Sequence, residues 1–107
     1  MRRSLLYDME AGCLRCGNPN AEWHHVWNAD RRATSDREGC IAPLCREHHQ
    51  GRHGVHRDMG YNRRLRSDCQ RRWEAREVAE CGISEEEARR RFMGLFFENY
   101  IMDGDET

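Results

Sequence analysis

Residues 45–56, CREHHQGRHGVH, carry four of the chain's six histidines and one of its six cysteines within twelve residues. Imidazole and thiolate are preferred zinc ligands, and a structural zinc takes four of them. Upstream, CLRC supplies Cys13 and Cys16, followed at once by Gly17. A C-x2-C pair with a trailing glycine forms a knuckle in which two thiolates point at one ion. CREH repeats the spacing with Cys45 and His48; on the opening turn of a helix these side chains project about 60° apart, on one face. Cys13, Cys16, Cys45 and His48 therefore form one candidate ligand set for a structural zinc.

Five histidines remain: His24, His25, His49, His53 and His56. Adjacent residues of a strand point to opposite faces, so of His24 and His25 one can bind a metal while the other handles a proton. A neutral imidazole near pH 7 suits that proton transfer. His49 follows a zinc ligand and projects roughly 100° away from it, which frees it for a second ion. On a continuous helix His53 and His56 would both share its side, but Gly51 and Gly54 oppose such a helix, and spacing alone leaves the choice between them open.

These side chains need elements to hold them. GNPN at 17–20 reads as a tight turn, EWHHVW as a strand, NADRRATSDREG as a polar loop, and CIAPL as a second strand antiparallel to the first, with Pro43 near its end. CREHHQ opens a short helix. From Asn62 to about Glu80, Leu65, Cys69, Trp73 and Glu77 flanked by Val78 recur at helical spacing, which reads as an amphipathic helix. Ser84 before three glutamates is an N-cap, and Phe92, Leu95, Phe96 and Tyr100 form the apolar face of a last helix. Knuckle, hairpin and helix turn together describe a treble-clef zinc site. The expected fold is α+β: one domain over 1–107, with a zinc-stapled core at 13–58 and a helical extension at 61–101. Cys40, Cys69 and Cys81 lack ligand partners and are expected as small buried apolar residues.

Composition agrees. Of 107 residues 37% are hydrophobic and 35% charged, and the mean hydropathy is -1.06. Such a chain builds a thin core, for which a metal staple compensates. No apolar run reaches membrane-span length, and MRRSLLYDME meets acid too soon for a signal peptide. The expectation is a soluble cytoplasmic protein with no membrane partner, whose cysteines bind metal rather than forming disulfides. The net charge of -1 hides a gradient: residues 1–76 hold 15 Arg against 10 acidic residues, and 77–107 hold 3 against 9. A polyanion should approach the first part.

The order CxxC, HHV, an Arg- and Ser-rich loop, LC-x-x-HH and GVH resembles the HNH endonucleases of the ββα-metal fold, especially a small phage and prophage branch. WEAREVAECGISEEEARRRFMGLFFENYI is similar to the helical tail of that branch, so the resemblance covers nearly all of 13–101. It implies His24, His49 and His56 as ligands of a catalytic divalent ion such as Mg²⁺, Mn²⁺, Ni²⁺ or Zn²⁺, and His25 as general base. It favours His56 over His53 through GVH. It further implies a structural Zn²⁺, double-stranded DNA as substrate, a bacterial host cytoplasm, and a second copy of the chain or a phage protein as further partner. Arg31, Arg32, Arg52 and Arg57 flank the histidines and are candidates for phosphate contacts. Where many members carry the Asn that braces the loop before the second strand, this chain has REGC; Asn28 and Ser35 are candidate replacements.

Two readings compete with the nuclease. One is a non-catalytic treble-clef module binding nucleic acid or protein; the other is a zinc-stabilised interaction protein whose acidic tail docks a partner. Either needs only the four zinc ligands, so His24, His25, His49 and His56 together favour the enzyme.

Overall fold

The computed structural model describes residues 5–101; residues 1–4 and 102–107, the ends of the expected domain and the start of the stretch read for a signal peptide, lie outside the described residues. The chain is α+β. Strands β1 (Ala21–His25) and β2 (Ile41–Cys45) pair antiparallel, with His24 opposite Ala42 and His25 opposite Ile41. Every residue of β2 is buried, whereas in β1 only His24 is. The hairpin thus gives one strand to the core and the other to the site.

The connection between the strands differs from the expected loop. After a single 3-10 turn at Ala29–Arg31 it forms α1 (Arg32–Arg37). The helix buries a hydroxyl instead of an apolar face: Ser35 Oγ donates to the Cys40 carbonyl (2.7 Å) and accepts from the Trp27 N–H (3.3 Å), joining the two ends of the hairpin. A helix without an apolar stripe leaves no period-3.6 signal in the sequence.

Helix α2 (Arg46–His49) follows β2 directly, as expected, and is one turn long. The chain then folds back, with the Val55 N–H donating to the His48 carbonyl at 2.8 Å. Gly54 permits this return, since a Cβ there would lie 2.8 Å from the His49 carbonyl oxygen.

Helix α3 (Met59–Cys81) is capped by Asp58, which accepts from the Tyr61 N–H, and ends at left-handed Gly82. Leu65, Cys69 and Trp73 form its buried stripe. Trp73 Nε1–H donates to Glu38 Oε1 at 3.0 Å, and Arg76 to the Glu38 carbonyl at 2.6 Å, clamping α3 to the end of α1. Cys40 and Cys69 are fully buried, but Cys81 is exposed, contrary to expectation. It sits on the last turn of α3, where its thiol donates to Glu77 Oε2 at 3.0 Å.

Helix α4 (Glu85–Phe96) begins at Ser84, whose hydroxyl accepts from the Glu87 N–H as the N-cap reading anticipates. Phe92 and Phe96 are buried and Leu95 is partly so. Phe97 takes a left-handed conformation (φ 67°) and stops the helix, so Tyr100 reaches the core from beyond it. Trp27, just past β1, lies 4.3–5.5 Å from the rings of Phe92, Phe96 and Tyr100. This aromatic cluster fastens the helical tail to the hairpin. Among the described residues no helix is long and apolar enough to cross a membrane.

Candidate metal centres and the histidine cleft

Cys13 and Cys16 sit on a tight reversal of the chain. The Gly17 N–H donates to the Cys13 carbonyl (2.8 Å) and the Cys13 N–H to the Asn18 carbonyl (2.9 Å); the reversal puts Gly17 at φ 77°. Opposite it, Cys45 ends β2 and His48 lies on α2. The four ligand atoms lie within 4.8 Å of one another. Cys16 Sγ is 3.7 Å from Cys45 Sγ, and His48 Nδ1 is 3.3 Å from Cys45 Sγ and 3.6 Å from Cys13 Sγ. A tetrahedron with Zn–S bonds of about 2.3 Å has edges of about 3.8 Å, so donor set and spacing both fit an ion such as zinc. Burial raises the Cys13 thiol, but the N–H groups of Cys45, Arg15 and Cys16 and the His48 ring outweigh it and bring its pKa down to about 6. The thiolate that zinc requires is thus accessible near neutrality.

A separate cluster unites β1, α2 and the return segment. His24, His49 and His56 offer nitrogens within 4.8 Å of one another, with ring centroids 5.0–5.3 Å apart. His24 is 3% exposed, and its buried Nε2 has no hydrogen-bond partner. An orphaned ring nitrogen facing two further imidazoles fits a metal ligand, because a bound ion would satisfy it. Burial, reinforced by the surrounding His49, His56, His25 and Arg66, lowers the His24 pKa to about 3; burial and His49 lower that of His56. Both rings are then neutral at pH 7, which is the ligating form.

Glu22 orients the third ring. Its Oε1 accepts from His49 Nδ1–H at 2.8 Å, which fixes the tautomer and leaves Nε2 for an ion. Sequence reasoning missed Glu22, although its position two residues before His24 places both on one face of β1. Partners of this kind are commonly worth 10–100-fold in metal affinity. Glu22→Gln is therefore expected to weaken Ni²⁺ binding at this cluster by about that factor in titration calorimetry, with zinc content unchanged; unaltered Ni²⁺ affinity would remove Glu22 from the site.

His25 lies beside the cluster with 17% of its side chain exposed, and its Nε2 is 3.5 Å from Asp36 Oδ1. Asp36, carried by α1, also escaped the sequence reading because its helix did. His24, His25, His49 and His56 line one cleft of about 210 Å³ together with Trp23, Asn28 and Arg32.

Among the four candidate phosphate contacts only Arg32 lines this cleft. Arg31 lies over the Phe97 ring at 5.2 Å, and Arg52 and Arg57 are exposed and outside the lining. His53 is exposed and outside the cluster. Accordingly His56→Ala should raise the metal concentration needed for half-saturation and His53→Ala should not; the reverse pattern would exchange their roles. Of the two candidate loop braces, Ser35 is buried and bridges the strand ends, while Asn28 is exposed at the cleft.

Compared with family models, with curated proteins and with solved structures, the chain has no match in any of the three.

Proposed function

We propose that the chain is a metal-dependent endonuclease of the HNH type, hydrolysing phosphodiester bonds of DNA, on a treble-clef core stapled by zinc. The observation that carries this reading is the convergence of His24, His49 and His56 beside His25, apart from the three cysteines and His48. A module needing only a structural metal has no use for a second ligand set with a proton acceptor next to it.

A divalent ion held by the three imidazoles would supply positive charge to the scissile phosphate and the departing oxygen. His25 acts on the water. With Nε2 directed at Asp36, its Nδ1 accepts a proton as the water oxygen bonds to phosphorus. The P–O3′ bond breaks, the departing oxygen takes a proton from solvent, and the products are a 5′-phosphate and a 3′-hydroxyl. Arg32 neutralises phosphate charge at the cleft.

The test is supercoiled plasmid incubated with zinc-loaded protein across Mg²⁺, Mn²⁺, Ni²⁺ and Zn²⁺. Nicked or linear product in at least one ion is the expected result. Intact plasmid in all four would leave the non-catalytic zinc module as the reading.

A further inference from the structure

Trp23 stands out among the three tryptophans. Trp27 and Trp73 are each 1% exposed and embedded in the core; Trp23 is 58% exposed. Among the described residues its indole has no ring stack and no hydrogen-bond partner. It lines the histidine cleft with Arg32 and His25.

Its place on β1 sets its relation to the chemistry. Side chains two residues apart on a strand share a face, with Cα atoms roughly 7 Å apart. Trp23 and His25 are so related, while the buried ring of His24 between them packs against His49 and His56. A flat apolar ring therefore flanks the proton acceptor, and a guanidinium lines the same cleft.

A solvent-facing aromatic beside a cationic group is how nucleic-acid sites hold single strands: bases stack on the ring while the cation follows the phosphates. A paired base cannot use the ring in this way, because its two faces are covered by its neighbours in the duplex. Only a base in a single strand, gap, flap or flipped position presents a free face.

We propose that Trp23 is a stacking platform for an unpaired nucleobase next to the scissile phosphate, so that the cleft takes DNA locally opened at the cut site. The inference rests on the nuclease reading for what happens to the bound strand, but the stacking contact can be measured without any cleavage.

The experiment uses the full chain as purified, with no divalent ion added, and a mixed-sequence strand of about twelve nucleotides, a length within the range of single-strand sites, alongside the blunt duplex of the same sequence. Binding is read by polarisation of an end label and by quenching of indole emission. Trp23→Ala is expected to weaken single-strand binding roughly 10-fold and to abolish most of the quenching. Trp23→Phe, which keeps a ring, should bind nearly as wild type, and duplex affinity should be the same for all three proteins. Wild-type protein that does not bind the single strand would overturn the inference, as would Trp23→Ala binding it as tightly as wild type or losing as much affinity for the duplex. A cleavage arm on duplexes with and without a central mismatched bubble separates the two readings. Single-strand binding through Trp23 with no cutting in any ion refutes the nuclease and leaves the platform standing. Cutting that is indifferent both to the bubble and to Trp23→Ala refutes the platform and leaves the nuclease.

Discussion

Replacing His25 by alanine is expected, on the nuclease reading proposed above, to reduce DNA cleavage by about 10²- to 10⁴-fold, the usual contribution of a positioned general base, equivalent to roughly 3–5 kcal/mol of barrier at 1.36 kcal/mol per tenfold. The fold should not respond. His25 is partly exposed at the end of β1, outside the buried cluster of Trp27, Trp73, Phe92 and Phe96. Divalent-ion binding should not respond either, since the three converging nitrogens belong to His24, His49 and His56. That separation gives the prediction its force: His24→Ala should lose cleavage together with ion affinity, His25→Ala should lose cleavage alone. Asp36→Asn should fall between wild type and His25→Ala, because it removes the carboxylate near Nε2 while leaving the ring to accept a proton. A His25→Ala protein that cuts plasmid at the wild-type rate would dismiss His25 as the base.

The parts legible in the sequence were those written in residue type and short spacing. The hairpin follows from two short apolar and aromatic segments, and the separation of two candidate ligand sets follows from strand alternation around His24 and the turn offset between His48 and His49. What stayed hidden depends on partners far apart in the chain. Glu22 and His49 are 27 residues apart, and their hydrogen bond exists only because β2 returns beside β1 and hands the chain directly to α2. Helix α1 has the sequence pattern of a loop because its buried residue is Ser35, whose hydroxyl crosslinks backbone instead of joining an apolar face. Missing α1 meant missing Asp36. The arginines show the limit of proximity in sequence: Arg31 and Arg32 are neighbours, yet one lies over Phe97 and the other lines the cleft.

If Cys13, Cys16, Cys45 and His48 hold the zinc proposed for them, stripping it is expected to unfold the hairpin and destabilise the whole chain. Structural zinc sites contribute about 10–16 kcal/mol of apparent binding energy at pH 7, as much as the total stability of a typical domain, about 5–15 kcal/mol. The site is continuous with the core that it would support. Cys13 and Cys45 are themselves members of the buried core, and the strand that carries Cys45 also carries the buried residues Ile41, Ala42 and Leu44. Without an ion, Cys13, Cys45 and His48 keep only weak sulfur hydrogen bonds to one another in place of metal–ligand bonds. The loss should not stop at the hairpin, because Trp27 packs on Phe92, Phe96 and Tyr100 and so couples strand β1 to helix α4. Cys45→Ser, or treatment with a strong zinc chelator, should therefore abolish near-ultraviolet dichroism and shift the emission of Trp27 and Trp73 to the red, with part of the helical signal of α3 surviving. The histidine cluster should disperse with it, since His49 follows His48 on the same short helix, and any Ni²⁺ affinity of the cluster should fall even though His24, His49 and His56 were not changed. A chelated protein that keeps its near-ultraviolet spectrum and its melting temperature would show that the aromatic cluster suffices without the metal.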